Sequence, residues 1–141
     1  MAIEGGRVTW VGRAGDADEP RGRVHDLGPG VIMPGLVNAH CHLELSHLSG
    51  LARQGTAGFV SWVESLMAQR GRVDPEEVRA ATRRAIRQLE STGTVAVGDV
   101  SNALAHLDLL EESHLHAVVF YELLGWDPAR AALRARRSAF V

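Results

Sequence analysis

Two histidines one residue apart, His40 and His42, stand where an apolar run turns polar in Pro34-Gly35-Leu36-Val37-Asn38-Ala39-His40-Cys41-His42-Leu43-Glu44. On a strand, side chains alternate faces, so the two imidazoles point one way and Cys41 the other. Two neutral imidazoles spaced about 6–7 Å along a strand can close on one divalent metal. A helix would turn them to different sides. The pair makes sense as metal ligands only at a strand end; the alternative is two histidines in a polar loop after a buried strand. Glu44 follows on the same nominal face, within reach of an amine-bearing substrate or a metal-bound group. Cys41, facing away, reads as a small core residue.

The elements around this motif must deliver it. Met1 to Leu27 reads as a short β region. Ile3, Gly5-Gly6, Val8 and Trp10 form a hairpin pattern, and Val24 to Leu27 a further short strand. From Val31 onward strands alternate with helices. Strands are expected near 31–40, 94–100 and 117–124. Gly58 to Arg70 carries Phe59, Trp62, Val63, Leu66 and Met67 on one helical face. Asp74-Pro75-Glu76-Glu77 is a helix start, and Gly93 stops that helix after Val78, Ala81, Ala85, Ile86 and Leu89 line one side. Ala103 to Glu112 and Ala129 to Phe140 are further helices, the last capped by Asp127-Pro128. No Gly-rich phosphate turn follows the first strand, which argues against a dinucleotide fold.

The stretch "VIMPGLVNAHCHLELS" resembles the first barrel strand of the amidohydrolase superfamily, and "GTVAVGDVSN" is similar to its second. Within the superfamily the chain looks most like the nucleobase and aminofutalosine-type deaminases and related chlorohydrolases. The resemblance implies an α/β fold: the first three β/α units of a (β/α)8 TIM-type barrel over 31–141, preceded by part of a small β-sandwich over 1–30. It implies one divalent metal, Zn2+ or Fe2+, on His40 and His42. The remaining ligands and the acid/base groups would come from later strands, beyond residue 141. It implies a hydrolase acting on non-peptide C–N bonds of cyclic amidines, in which metal-activated water deaminates an amine-substituted heterocycle such as an adenine- or aminofutalosine-like molecule. The partner is then a small-molecule substrate, and the resemblance leaves a homo-oligomeric parent open.

Barrel active sites gather at the C-terminal ends of strands. By that rule His47, Asn102 and Glu122 join Glu44 as candidate substrate contacts, and Asp99 ends the second strand. Glu122, a charge inside an apolar strand, must face a polar cavity or a partner. His106 falls within an expected helix and reads as solvated. His114 and His116 form a second His-x-His at the N-terminal end of the third strand, on the wrong rim, and read as surface residues. Trp10, Trp62 and Trp126 read as packing residues.

Composition sets the outer bounds. There are 141 residues, and a full barrel needs about 250. The chain reads as an N-terminal fragment, beginning inside the sandwich and ending in a helix before a fourth strand. The alternatives are a truncated, inactive piece or a small metal-binding α/β module. A third of a barrel cannot cover both faces of its strands, so the chain alone is expected to associate or to bind apolar dyes. Net charge is −2, which provides no footprint for nucleic acid. No apolar run approaches a membrane span. One cysteine and no signal-like start lean towards the cytoplasm.

Overall fold

Two glycines in the left-handed region, Gly5 at φ 55° and Gly6 at φ 77°, turn the chain back on itself between β1 (Ala2–Glu4) and β2 (Arg7–Trp10). Both central positions of such a tight turn need positive φ, which glycine adopts without steric cost. The strands pair antiparallel, with Ile3 opposite Val8. The computed structural model describes residues 1–16, 18–50, 58–69 and 72–123. The expected helix over 129–140 with its Asp127-Pro128 cap, Trp126, Leu124 and Arg70 lie outside these residues. The chain divides into two units, Met1–Met33 and Pro34–Val141.

In the first unit Trp10 packs its ring over Gly12 and donates its indole N–H to Asp18 at 3.3 Å. The strand expected at Val24–Leu27 does not form, and both residues are exposed. Four residues with no neighbouring strand gain no ladder hydrogen bonds, and propensity alone cannot hold them extended.

The second unit is a mixed α/β structure around a three-stranded parallel sheet in the order β3 (Leu36–Cys41), β4 (Thr94–Ser101), β5 (His116–Tyr121). Parallel pairing agrees with the alternation of strands and helices, because parallel neighbours require a crossover. The first strand is shorter than expected: Val31, Ile32 and Met33 pair with nothing and are exposed. Pairing starts at Leu36, whose N–H donates to the Gly93 carbonyl at 2.9 Å.

The helix α1 (Gly58–Gln69) forms where the apolar spacing places it, with the Phe59 and Trp62 rings 5.6 Å apart, yet none of its residues is buried. The longer α2 (Pro75–Ser91) begins as its sequence dictates. The Asp74 side chain accepts from the Glu76 N–H at 2.8 Å, Pro75 occupies the first turn, and Gly93 at φ 85° ends it. Replacing Asp74 by alanine orphans that amide and is expected to cost about 1 kcal/mol, read as a lower denaturant midpoint at constant m. The third helix, α3 (Leu107–Glu111), is one turn rather than the ten residues expected from Ala103 onward. Residues 102–105 instead make the loop leaving β4, where Leu104 takes a positive φ of 55°.

Ile86 of α2 and Leu109 and Leu110 of α3 share one buried cluster with Val97 of β4, Leu43 and Leu115. Cys41 and Val119 pack against it. The opposite face of β5 carries Val118 and Phe120, 59% and 53% exposed. Among the described residues no helix is long and apolar enough to cross a membrane.

Candidate functional site

His40 is the fifth residue of β3, and His42 follows the strand's last residue. Their ring centroids lie 5.1 Å apart, edge to face at 71°. His40 is exposed and His42 half-buried. The strand leading into the pair is not regular. It fits three residue steps, Asn38 to Cys41, opposite two steps on β4, Val97 to Asp99. The Asn38 Oδ1 accepts from the His40 N–H at 3.3 Å inside this bulge. Bulges re-aim side chains and commonly border functional sites. Gly98 of β4 permits it, since a β-carbon there would lie 2.5 Å from the Ala39 carbonyl oxygen.

Cys41 points to the helix-covered face. Its Sγ sits 3.6 Å from the Gly98 carbonyl and 3.8 Å from Asp99 Oδ1. Burial, then the Asp99 charge and hydrogen bond, push the thiol up to about 11. It is therefore expected to react about a hundred-fold more slowly with iodoacetamide at pH 8 than an ordinary thiol, in a thiol titration of the folded protein. The thiol keeps its proton to higher pH folded than unfolded. Its contribution to stability is full below about 9.0 and lost as the pH rises towards about 11.

Immediately after His42 the chain makes a 3-10 turn, Leu43–Leu48, and Glu44 is buried within it. Its Oε2 accepts from Ser101 Oγ at 2.7 Å, from the Ala103 N–H at 3.0 Å and from the Asn102 N–H at 3.1 Å. The carboxylate thus ties the end of β3 to the loop leaving β4. The Glu44 carbonyl contacts His47 Nδ1 at 3.0 Å. His47 lines a cleft of about 400 Å³ with Leu45, Val78, Arg79, Ala105 and His106. At the cleft edge Arg79 and Asp108 form an ion pair that holds the Asp108 carboxyl below the usual range.

Asn102 and Glu122 meet at the ends of β4 and β5. The Asn102 amide donates to the Glu122 carbonyl at 2.6 Å and to its carboxylate at 3.2 Å. Glu122 lies just past β5 rather than inside it, though its N–H continues the ladder to the Ser101 carbonyl at 2.8 Å. Half-buried, it has the polar partner that its charge requires.

The expectation for His106 is overturned. His106 is not solvated within a helix. It is 3% exposed, precedes α3, and its Nε2 donates to Asp99 Oδ2 at 2.7 Å. Asp99 is fully buried. In register it stands between Cys41 and Val119 and shares their helix-covered face. A buried carboxylate must be paired, and the loop 102–105 brings the imidazole back over it. The signal in the sequence was an Asp inside the apolar run Thr94 to Val100, with a His seven residues later. His114 and His116 lie as expected, away from the motif: His114 is exposed, its N–H on Glu90, and His116 opens β5 at its N-terminal end.

The donor chemistry at His40 and His42 fits part of a metal shell. Two adjacent imidazoles suit zinc or iron, while among the described residues no group of three or more His, Cys, Asp or Glu gathers to complete one.

The amidohydrolase family matches residues 31–134, so the chain belongs to that family. It is 34% identical over 110 residues to an adenosine deaminase of Helicobacter pylori, covering 78% of this chain and 26% of that protein. An aminodeoxyfutalosine deaminase of Nitratiruptor is 30% identical over 101 residues, 72% of this chain and 24% of the relative. Among solved structures, the Helicobacter pylori aminofutalosine deaminase in complex with methylthio-coformycin superposes with a TM-score of 0.65 at 34% identity, over 76% of this chain and 26% of that one. The chain thus spans about a quarter of the length of these relatives.

Proposed function

We propose that this chain is the N-terminal part of a metal-dependent deaminase, which hydrolyses the exocyclic C–N bond of an amine-substituted heterocycle such as an adenine- or aminofutalosine-like substrate. The observation that carries the reading is the His40–His42 pair, its rings 5.1 Å apart at the C-terminal end of a parallel strand, in a chain of the amidohydrolase family. The three parallel strands serve as the opening units of a (β/α)8 barrel over 31–141, and residues 1–30 as part of a flanking β-sandwich.

His40 and His42 hold the ion, Zn2+ or Fe2+, through neutral imidazole nitrogens. When bound, that metal supplies the Lewis acidity that makes water a competent nucleophile near neutral pH. The chain's own residues shape the rim around it. Asn102 and Glu122 offer an amide and a carboxylate for the polar groups of the substrate. Glu44, held by Ser101 at the end of β4 and by two amides of the loop after it, fixes the height of that rim beneath them. His47 stands on the adjacent cleft, where it meets the distal part of a substrate.

The test is ammonia release by the full-length product of the gene that encodes this chain, reconstituted with Zn2+ or Fe2+, on adenosine, 5-methylthioadenosine and aminodeoxyfutalosine. Turnover of at least one, lost on chelation and regained with metal, is the expected result. No turnover of any of the three by a metal-loaded, folded protein overturns the reading.

A further inference from the structure

Asp99 and His106 lie outside the metal pair, yet they reach the backbone that carries it. Asp99 Oδ1 accepts from the Leu43 N–H at 2.8 Å, directly after His42, and stands 3.8 Å from the Cys41 sulfur, directly before it. Its Oδ2 accepts a hydrogen bond from His106 Nε2 at 2.7 Å. One buried carboxylate therefore grips both neighbours of His42. Its second oxygen is held by an imidazole that is itself buried and whose Nδ1 finds no partner among the described residues. The contact with Asp99 is that ring's one hydrogen bond among the described residues. The His106 carbonyl accepts from the Leu109 and Leu110 N–H groups at 3.0 and 3.3 Å, which roots it in the start of α3. The Leu43 carbonyl is gripped too, by Thr82 Oγ1 of α2 at 3.1 Å.

A strand end with a bulge needs such anchors. Bulging disrupts the ladder between Asn38 and Cys41, so contacts from outside the ladder help hold the chain from there to Leu43. We propose that Asp99 and His106 are a buried positioning pair that fixes the peptide after His42, and through it the aim of both imidazoles at one shared ion. The proposal rests on the reading that His40 and His42 hold that ion. Outer groups that orient ligands are typically worth about ten- to a hundred-fold in metal affinity.

The experiment uses the full-length gene product and competes Zn2+ between protein and a chelator, with thermal unfolding of each metal-free variant alongside. His106→Ala is expected to lower affinity at least ten-fold. His106→Gln, which can present an N–H to Asp99, should restore it to within about three-fold. Ile86→Ala is the control: it opens the same core, of which Leu43 is a member, but removes no hydrogen bond to the strand end, and should lower the thermal midpoint while leaving affinity within two-fold. In the metal-free protein, the Leu43 amide should exchange at least ten-fold faster in His106→Ala than in Ile86→Ala. Unchanged affinity in His106→Ala, or equal Leu43 exchange in the two variants, overturns the proposal. If His106→Ala does not fold, Asp99→Ala carries the test: it removes the acceptor of both the Leu43 amide and the His106 ring, and should show the same loss. Unchanged affinity there is equally fatal. The double variant His40→Ala/His42→Ala separates the two readings. Parental affinity in it sinks the metal reading itself, whereas its loss beside a fully competent His106→Ala sinks only the positioning pair.

Discussion

Replacing either His40 or His42 by alanine in the full-length gene product is expected to lower kcat/KM by about three orders of magnitude or more. The reason is the size of what is removed. Lewis-acid assistance contributes several kcal/mol to a hydrolytic transition state, and about 4 kcal/mol is a thousand-fold in rate. Folding should barely notice. His40 is exposed and His42 half-buried, and neither belongs to the buried cluster around Val97 and Ile86. Substitutions outside packed cores usually stay within about 0.5 kcal/mol. Steady-state kinetics paired with thermal unfolding checks both halves. A variant that keeps its rate removes the metal from the mechanism, and one that loses rate only because it unfolds shifts its melting curve.

Gly98→Ala carries the second large effect, this time on stability and on the site together. A β-carbon at residue 98 would stand 2.5 Å from the Ala39 carbonyl oxygen and 3.0 Å from its carbon. Both are backbone atoms, so no side-chain rotation relieves the clash. The strand must move, and β3 moves at the bulge beside His40. Overpacking of this kind costs about 3 kcal/mol, at the upper end of the usual range. The denaturant midpoint should fall accordingly. Zn2+ affinity should fall with it even under fully folding conditions, because the displaced peptide bears His40, one of the two proposed ligands. A stable Gly98→Ala protein with parental affinity would show that the close approach of the two strands is not required.

What the chain alone determined follows from local chemistry. Gly5-Gly6 turns a hairpin because both positions need positive φ. Asp74-Pro75 starts α2 and Gly93 ends it, since caps are satisfied within one helical turn. The order strand, helix, strand, helix, strand implied parallel pairing, and β3, β4 and β5 pair so. His40 and His42 lie two apart in the sequence, and their rings lie 5.1 Å apart.

The tertiary structure decided everything that depends on a neighbour. Val24–Leu27 and Val31–Met33 carry strand-like residues but have no strand beside them, so they stay unpaired. The bulge at Ala39 depends on Gly98, 59 positions further along, having no side chain. Glu44 could be read from its position as a free acid at a strand mouth, yet its carboxylate is buried against Ser101, Asn102 and Ala103. His106 looked like a polar residue on a helix. It is buried because Asp99, on the helix-covered face of β4, must find a donor, and the loop 102–105 is short enough to return one. Periodicity and capping are encoded within a few residues and can be read there. Burial of a charge is settled by which distant group can reach it, and only the folded chain supplies that distance.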